Sequence, residues 1–271
     1  MGMEIDLYEV NAFSHRPQGG NPLAVMLLDE WLGSLALQIL ASKGGKPETA
    51  FVVRRGEKCE IRCFSAQREI DLCGSAILAA AAVIMDFFDR RLRRMDFVHP
   101  QGTVGVWRHG GKLSLDLPQW TLKPRLHPGP TLAALGVEQG EVWQNRDIVV
   151  ILENREQVAA LRPDFSRLAK LPSPLVVVSA SDGGQGYVLR AFSPAAGIPE
   201  DAATATAHCA LAPYWANKLG CPHLHAEQLS PRRAEFECEL LGNRVIVASQ
   251  VLQVRHKLLT LPEGMNLPFS H

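Results

Sequence analysis

The run from Ala76 to Met85, AILAAAAVIM, passes through almost three helical turns without one polar side chain. A helix that is apolar all round has no face to turn to water, so it must thread the middle of a domain. Ahead of it stands Glu69-Ile70-Asp71-Leu72-Cys73-Gly74-Ser75, a polar strand end that turns at Gly74. The predicted local order is strand, tight turn and buried helix, with Ser75 as the helix cap. The first N–H groups of that helix have no partner inside it and point beyond the turn. Such an end attracts a carboxylate or a phosphate.

The same order recurs in the second half. Arg62-Cys63-Phe64-Ser65 leads into the first turn, and Arg190-Ala191-Phe192-Ser193 leads into Ile198-Pro199-Glu200-Asp201-Ala202-Ala203-Thr204-Ala205-Thr206-Ala207 and then HCALAPYWANKLG. Both read as a strand, an acidic turn of small residues and an apolar helix. A duplicated unit of about half the 271-residue chain is the simplest account. The predicted class is α/β (α+β), with two pseudo-repeated lobes, each a curved sheet around one central apolar helix. Two such lobes facing each other would set two helix N-termini across one cleft.

Composition narrows the partners. Lys plus Arg and Asp plus Glu stand at 28 each, so no global field recruits nucleic acid or a membrane. The local run Arg90-Arg91-Leu92-Arg93-Arg94 reads as cations opposing the negative end of the first core helix. Cysteines 59, 63, 73, 209, 221 and 238 read as reduced and mostly buried, and no Cys/His spacing completes a metal site. Met3, Ile5 and Leu7 alternate with Glu4 and Asp6, which reads as a strand rather than a signal peptide. The longest apolar run is too short to cross a bilayer, so a cytoplasmic, soluble protein is expected.

Along the chain, Arg16 to Pro22 is a Gly/Pro loop, and Leu23 to Leu28 a buried strand. Trp31, Leu32, Leu35, Ile39 and Leu40 mark an amphipathic helix ended by Gly44 and Gly45. Glu48 then stands where the chain enters a strand, Thr49 to Val53. Further strands are expected at Cys59 to Ser65, Phe97 to Trp107 and Leu113 to Leu117, the last two joined through His109-Gly110-Gly111. Prolines 118, 124, 128 and 130 mark a stiff connector that divides lobes at 1–118 and 128–271. The second lobe reads as a strand at Asp147 to Leu152, a helical region from Arg155 to Lys170, and strands at Leu175 to Ser179 and Tyr187 to Phe192. Strands near Leu224, Phe236 and Val245 follow the second core helix.

Asn11 to Ser14, Gly20-Asn21-Pro22, Glu48 to Phe51, Glu69 to Gly74, Gly197 to Asp201, Ala207-His208 and Gln228 to Arg232 together resemble the phenazine-biosynthesis isomerase (PhzF-like) family, within the diaminopimelate epimerase-like fold. The resemblance covers nearly the whole chain. It implies mostly antiparallel sheets, a homodimer, and cofactor-independent proton transfer on a small anionic, carboxylate-bearing metabolite. It places the acid–base group at Glu48 and a second carboxylate at Asp201, with Ser75 at the position of a catalytic histidine. The turns Cys73-Gly74-Ser75-Ala76 and Ala205-Thr206-Ala207 would bind the substrate carboxylate.

The chain also departs from the family's pattern. Ser75 stands where many relatives have histidine, and a hydroxyl cannot hold a proton near neutral pH as imidazole can. Ala205 stands where they have glycine, which is awkward if that turn needs a positive φ. Arg233-Ala234 likewise replaces usual glycines. Cys73 faces no second cysteine in the turn from Asp201 to Thr206, so racemisation by two thiols is not expected; Cys73 reads as a small buried residue. Two readings follow: an acid–base isomerase, or an altered member that binds a small acid, or takes part in an assembly, without turnover.

Overall fold

The computed structural model describes residues 4–56, 58–70, 73–100 and 102–260, and the chain separates into two compact units. Unit 1 comprises Met1–Leu115 with Ser249–His271, and unit 2 comprises Asp116–Ala248.

Unit 1 opens with β1 (Glu4–Ala12), β2 (Asn21–Leu28), α1 (Ser34–Gly44), β3 (Glu48–Arg55), β4 (Lys58–Ser65) and the short β5 (Glu69–Ile70). The central helix α2 (Gly74–Val83) follows, and a π-helical extension, Ile84–Phe88, continues it. Then come β6 (Arg94–His99), β7 (Gly102–His109) and β8 (Lys112–Pro118). Every residue of α2 is buried. Alanine is the best helix former, and its small side chain lets strands approach closely on all sides. Strands β1, β2, β3 and β7 surround it. The opposite face of the sheet packs on α1, where Leu37, Leu40 and Ala41 meet Ile5, Leu7, Met26, Phe51 and Phe64. The strands are therefore covered on both faces, which is why they read as nearly continuous apolar runs.

The basic run does meet the helix end: Arg90 Nε donates to the Asp86 carbonyl at 2.9 Å. The single strand expected from Phe97 to Trp107 is instead a hairpin of β6 and β7. Gly102, at φ 137°, turns the chain there in a conformation that side chains rarely adopt.

Unit 2 contains β9 (Lys123–Pro124), α3 (Gly129–Leu135), β10 (Glu141–Gln144), β11 (Ile148–Ile151), α4 (Arg155–Ala160) and α5 (Phe165–Leu168). It continues with β12 (Val176–Ser181), β13 (Gly186–Ser193), β14 (Ile198–Asp201), α6 (His208–Leu219), β15 (His223–Gln228), β16 (Ala234–Leu241) and β17 (Arg244–Ser249). The helical region expected from Arg155 to Lys170 is two short helices, because Pro163 cannot continue the first. The proline-rich connector is not merely a spacer. It supplies β9, which pairs with β10, and opens α3.

The repeat is visible in the pairing. In unit 1 the ladder runs β1/β2 antiparallel, β2/β3 parallel, β3/β4 antiparallel, β4/β6 parallel, then β6/β7 and β7/β8 antiparallel. Unit 2 repeats that sequence through β10/β11, β11/β12, β12/β13, β13/β15, β15/β16 and β16/β17. The short β5 and β14 occupy matching places on β4 and β13, each leading to the turn before its helix. Helix α6 is less uniform than α2. Its first turns are buried, whereas Asn217 and Lys218 reach solvent.

One boundary departs from the expected 128–271. The closing strand β18 (Val251–Thr260) returns to unit 1 and pairs along β1, from Glu4 opposite Thr260 to Ala12 opposite Val251. β1 has a free ladder edge beyond β2, and an unpaired row of N–H and C=O groups is satisfied by adding a strand.

Candidate functional site

Glu48 is placed by both of its neighbours in sequence. Helix α1 ends at Gly44, Gly45 takes the left-handed conformation at φ 68°, and Lys46 is anchored on Glu9 at 2.9 Å. Pro47 then delivers Glu48 as the first residue of β3, opposite Leu23 of β2 and Ser65 of β4. Its side chain is buried, 6% exposed.

Three donors converge on one carboxylate oxygen. Glu48 Oε2 accepts from Asn21 Nδ2 at 2.7 Å, from Ser75 Oγ at 3.0 Å and from Cys73 Sγ at 3.3 Å. Asn21 Nδ2 also donates to Ser75 Oγ at 3.0 Å, so the three side chains close a triangle. No described residue bonds to Oε1. One oxygen is thus fixed as an acceptor, and the other is left available to take a proton.

The serine is not the helix cap that the sequence suggests. Helix α2 begins at Gly74 with Cys73 at the cap position and no side-chain cap bond, because the Ser75 hydroxyl is turned to Glu48. The backbone N–H groups of Gly74, Ser75 and Ala76 lie in the first turn, where the helix provides no acceptors. Asp71 and Leu72, within the expected motif, lie outside the described residues.

Cys73 is a thiol here. A hydrogen bond with Cys63, burial, and the negative Glu48 beside it hold its pKa well above the usual thiol range. In α6, Cys209 is pushed up to about 12 by burial. Neither cysteine is a ready thiolate.

The second turn is built in unit 2. The Asp201 carboxylate accepts from Ala203 N–H at 3.2 Å and from Thr204 Oγ at 2.6 Å, so it braces the turn. Gln228 clamps the same loop, donating to the Asp201 carbonyl at 2.7 Å and accepting from Thr204 N–H at 2.8 Å. Ser230 Oγ holds the Ala202 carbonyl at 2.7 Å. The turn tightens into a 3₁₀ segment, Ala205–Ala207, before α6. Ala205 has no positive φ, so an alanine fits there without strain. Arg233 does adopt a left-handed φ of 57°.

Several residues of these sites escape sequence reasoning. Asn21 is visible only as part of Gly-Asn-Pro. Arg146 donates to the Thr206 hydroxyl at 3.4 Å and is held by Asp147 through Nε and Nη2 at 2.9 and 2.7 Å. Burial raises the Asp147 pKa, while the Arg146 guanidinium opposes that rise. His208, the first residue of α6, is wholly buried, with Nδ1 2.6 Å from the Tyr187 hydroxyl and Nε2 without a partner among the described residues. Its pKa is driven down to about 3 by burial.

Comparison with known proteins bears on the family and the fold. The family model described as phenazine biosynthesis-like protein matches residues 10–128 and 131–248. An uncharacterised isomerase of Pseudomonas aeruginosa is 40% identical over 248 residues, spanning 92% of this chain and 96% of that protein. A PhzF-family crystal structure from Enterococcus faecalis matches with a TM-score of 0.90 and 34% identity, covering 96% of this chain and all of that one. A hydroxyproline epimerase of Agrobacterium vitis, with trans-4-hydroxy-L-proline bound, shares the fold at 9% identity and a TM-score of 0.62, covering 99% of this chain and 95% of its own. The chain belongs to the phenazine biosynthesis-like (PhzF) family, whose relatives include proteins named as isomerases. Among the described residues, no helix is long and apolar enough to cross a membrane.

Proposed function

We propose that the protein is a cofactor-independent isomerase that moves one proton between two carbons of a small carboxylate-bearing metabolite. The observation that carries this reading is the asymmetry of Glu48: three donors on Oε2 and none among the described residues on Oε1. As Oε1 forms its O–H bond, the carbon–hydrogen bond breaks and its electron pair spreads into the substrate's adjoining π system. The Glu48 carboxyl group then delivers a proton to a second carbon, and deuterium enters from solvent where its O–H exchanges before this transfer, so a single carboxyl group suffices. Holding the carboxylate still is worth much of the rate, since proton transfer needs hydrogen-bond distance to the reacting atom. The N–H groups of Gly74, Ser75 and Ala76 are the proposed donors to a carboxylate at the first turn, and those around Ala205, Thr206 and Ala207 the proposed donors to a carboxylate at the second. Asp201 serves as the brace of the second turn. The resemblance extends the reading to a cytoplasmic homodimer acting on a small anionic metabolite.

Ser75 favours a second reading, binding without turnover, because it replaces a group able to carry protons. Solvent exchange separates the two. Incubated in deuterated water with a panel of small cyclic unsaturated carboxylic acids, the enzyme should convert its substrate to a double-bond isomer, with no more than one solvent deuterium entering per turnover. Tight binding of such an acid with neither isomer formation nor exchange would replace the isomerase with the binding role.

A further inference from the structure

The second turn contains a hydroxyl whose proton has no acceptor among the described residues. Thr206 is 5% exposed, and its Oγ receives the Arg146 Nη2 bond at 3.4 Å. No described residue accepts from it. A guanidinium has five donors and no acceptor, so it can occupy only the lone-pair side of that oxygen. The O–H is left to donate to something that no described residue supplies. A buried donor without a partner is costly, and it is satisfied when a ligand brings the acceptor.

Arg146 has little freedom to leave this position. Asp147, buried beside it, grips the guanidinium with both oxygens, a paired geometry that fixes its plane. The ring of Trp120 lies 4.5 Å from the guanidinium carbon on another side. Trp120 is itself set by a proline. Pro213 lies inside α6 and has no N–H for the Cys209 carbonyl, and the Trp120 N–H takes that carbonyl at 2.8 Å. A sequence feature that weakens the helix thereby becomes the anchor for the aromatic shelf under Arg146.

We propose that Arg146 is a positioning residue that locks the Thr206 hydroxyl as a donor, so that the second turn selects a substrate carboxylate over the neutral amide of the same acid. A carboxylate accepts only, whereas an amide also presents N–H donors and carries no charge to meet the guanidinium. The inference rests on the proposed reading of this turn as a carboxylate subsite.

Benzoate and benzamide are suitable probes, titrated into ¹⁵N-labelled full-length protein while the amide signals of Thr206 to Cys209 are followed. The parent should prefer benzoate. Arg146→Gln and Thr206→Val should each weaken benzoate by about tenfold and bring the two probes closer together, as expected for loss of one charge-assisted hydrogen bond. The double variant should be no weaker than either single one, because both substitutions break the same link. Arg146→Gln combined with Asp147→Asn removes the carboxylate that would otherwise be stranded, and should give the same preference as Arg146→Gln. Additive losses, or an unchanged benzoate preference in the single variants, would overturn the positioning role while leaving the carboxylate subsite intact. A parent that binds neither probe at this turn would overturn the subsite reading and this inference with it.

Discussion

Glu48→Gln is expected to slow exchange of substrate hydrogen with solvent by about a hundredfold to ten-thousandfold, the usual contribution of a positioned acid–base group. Glutamine has nearly the same shape, and its amide oxygen can take the place of Oε2 toward Asn21, Ser75 and Cys73. The fold and the donor triangle should therefore persist. What changes is the other side, where an NH₂ group replaces the oxygen that accepts the proton. The measurement is the rate of deuterium entry into substrate by NMR, with binding followed separately to show that the site still fills. Undiminished exchange would assign the proton to another group. Cys73 is the nearest candidate, yet its hydrogen bond with Cys63 and its burial keep it protonated in the variant as well.

His208 should make the protein sensitive to acid. Its folded-state pKa is about 3, against about 6.5 for an exposed histidine, because the ring is fully buried and protonation would place a charge there. A group whose pKa is lowered by folding leaves stability intact above its unfolded value and removes it as the pH falls toward the folded value. From pH 7 to pH 4 the loss should be about 3 kcal/mol. Urea unfolding midpoints across that range measure it. Glu9, whose pKa Lys257 and Lys46 lower, adds to acid sensitivity, whereas the raised pKa of Asp147 works in the opposite direction. The comparison that isolates His208 is therefore with His208→Asn, which keeps an amide for the Tyr187 hydroxyl and does not titrate. The pH slope of the variant should be flatter, whatever its stability at neutral pH. An unchanged slope would mean that His208 is protonated without difficulty in the folded chain.

The residues that announce this architecture are those with no alternative. A helix such as α2, buried on every side, can only be central, and that was legible from Ala76 to Met85 alone. The glycines at 44 and 45 likewise mark the end of α1 and the approach to Glu48. Less legible was anything decided by pairing at a distance. The return of β18 to β1 depends on a free edge some 240 residues earlier in the chain, and nothing in its local pattern records that partner. Gly102 was read as part of one strand because a single glycine leaves the alternation of its neighbours almost unchanged.

The site divides in the same way. Glu48, Cys73 and Ser75 were identified as motif residues, and their side chains do meet. The role of Ser75 was misjudged, since a cap and a carboxylate partner ask for the same hydroxyl and only geometry tells which receives it. Asn21, Gln228 and Arg146 carried no individual signal. Each is a polar residue at a strand end or in a loop, a place where such residues are common for many reasons. Pro213 was the one visible clue to Arg146. A proline inside an apolar helix frees a carbonyl, and a freed carbonyl must find a donor.

The most direct test of the central claim is the structure of the protein with a slowly reacting unsaturated carboxylic acid bound. The account predicts the carbon that loses its proton at about 3–3.5 Å from Glu48 Oε1, the near-attack distance for transfer. Oε2 should keep its bonds to Asn21 and Ser75. A bound acid whose reacting carbon lies out of reach of Oε1, or closer to Cys73 Sγ than to Glu48, would contradict it.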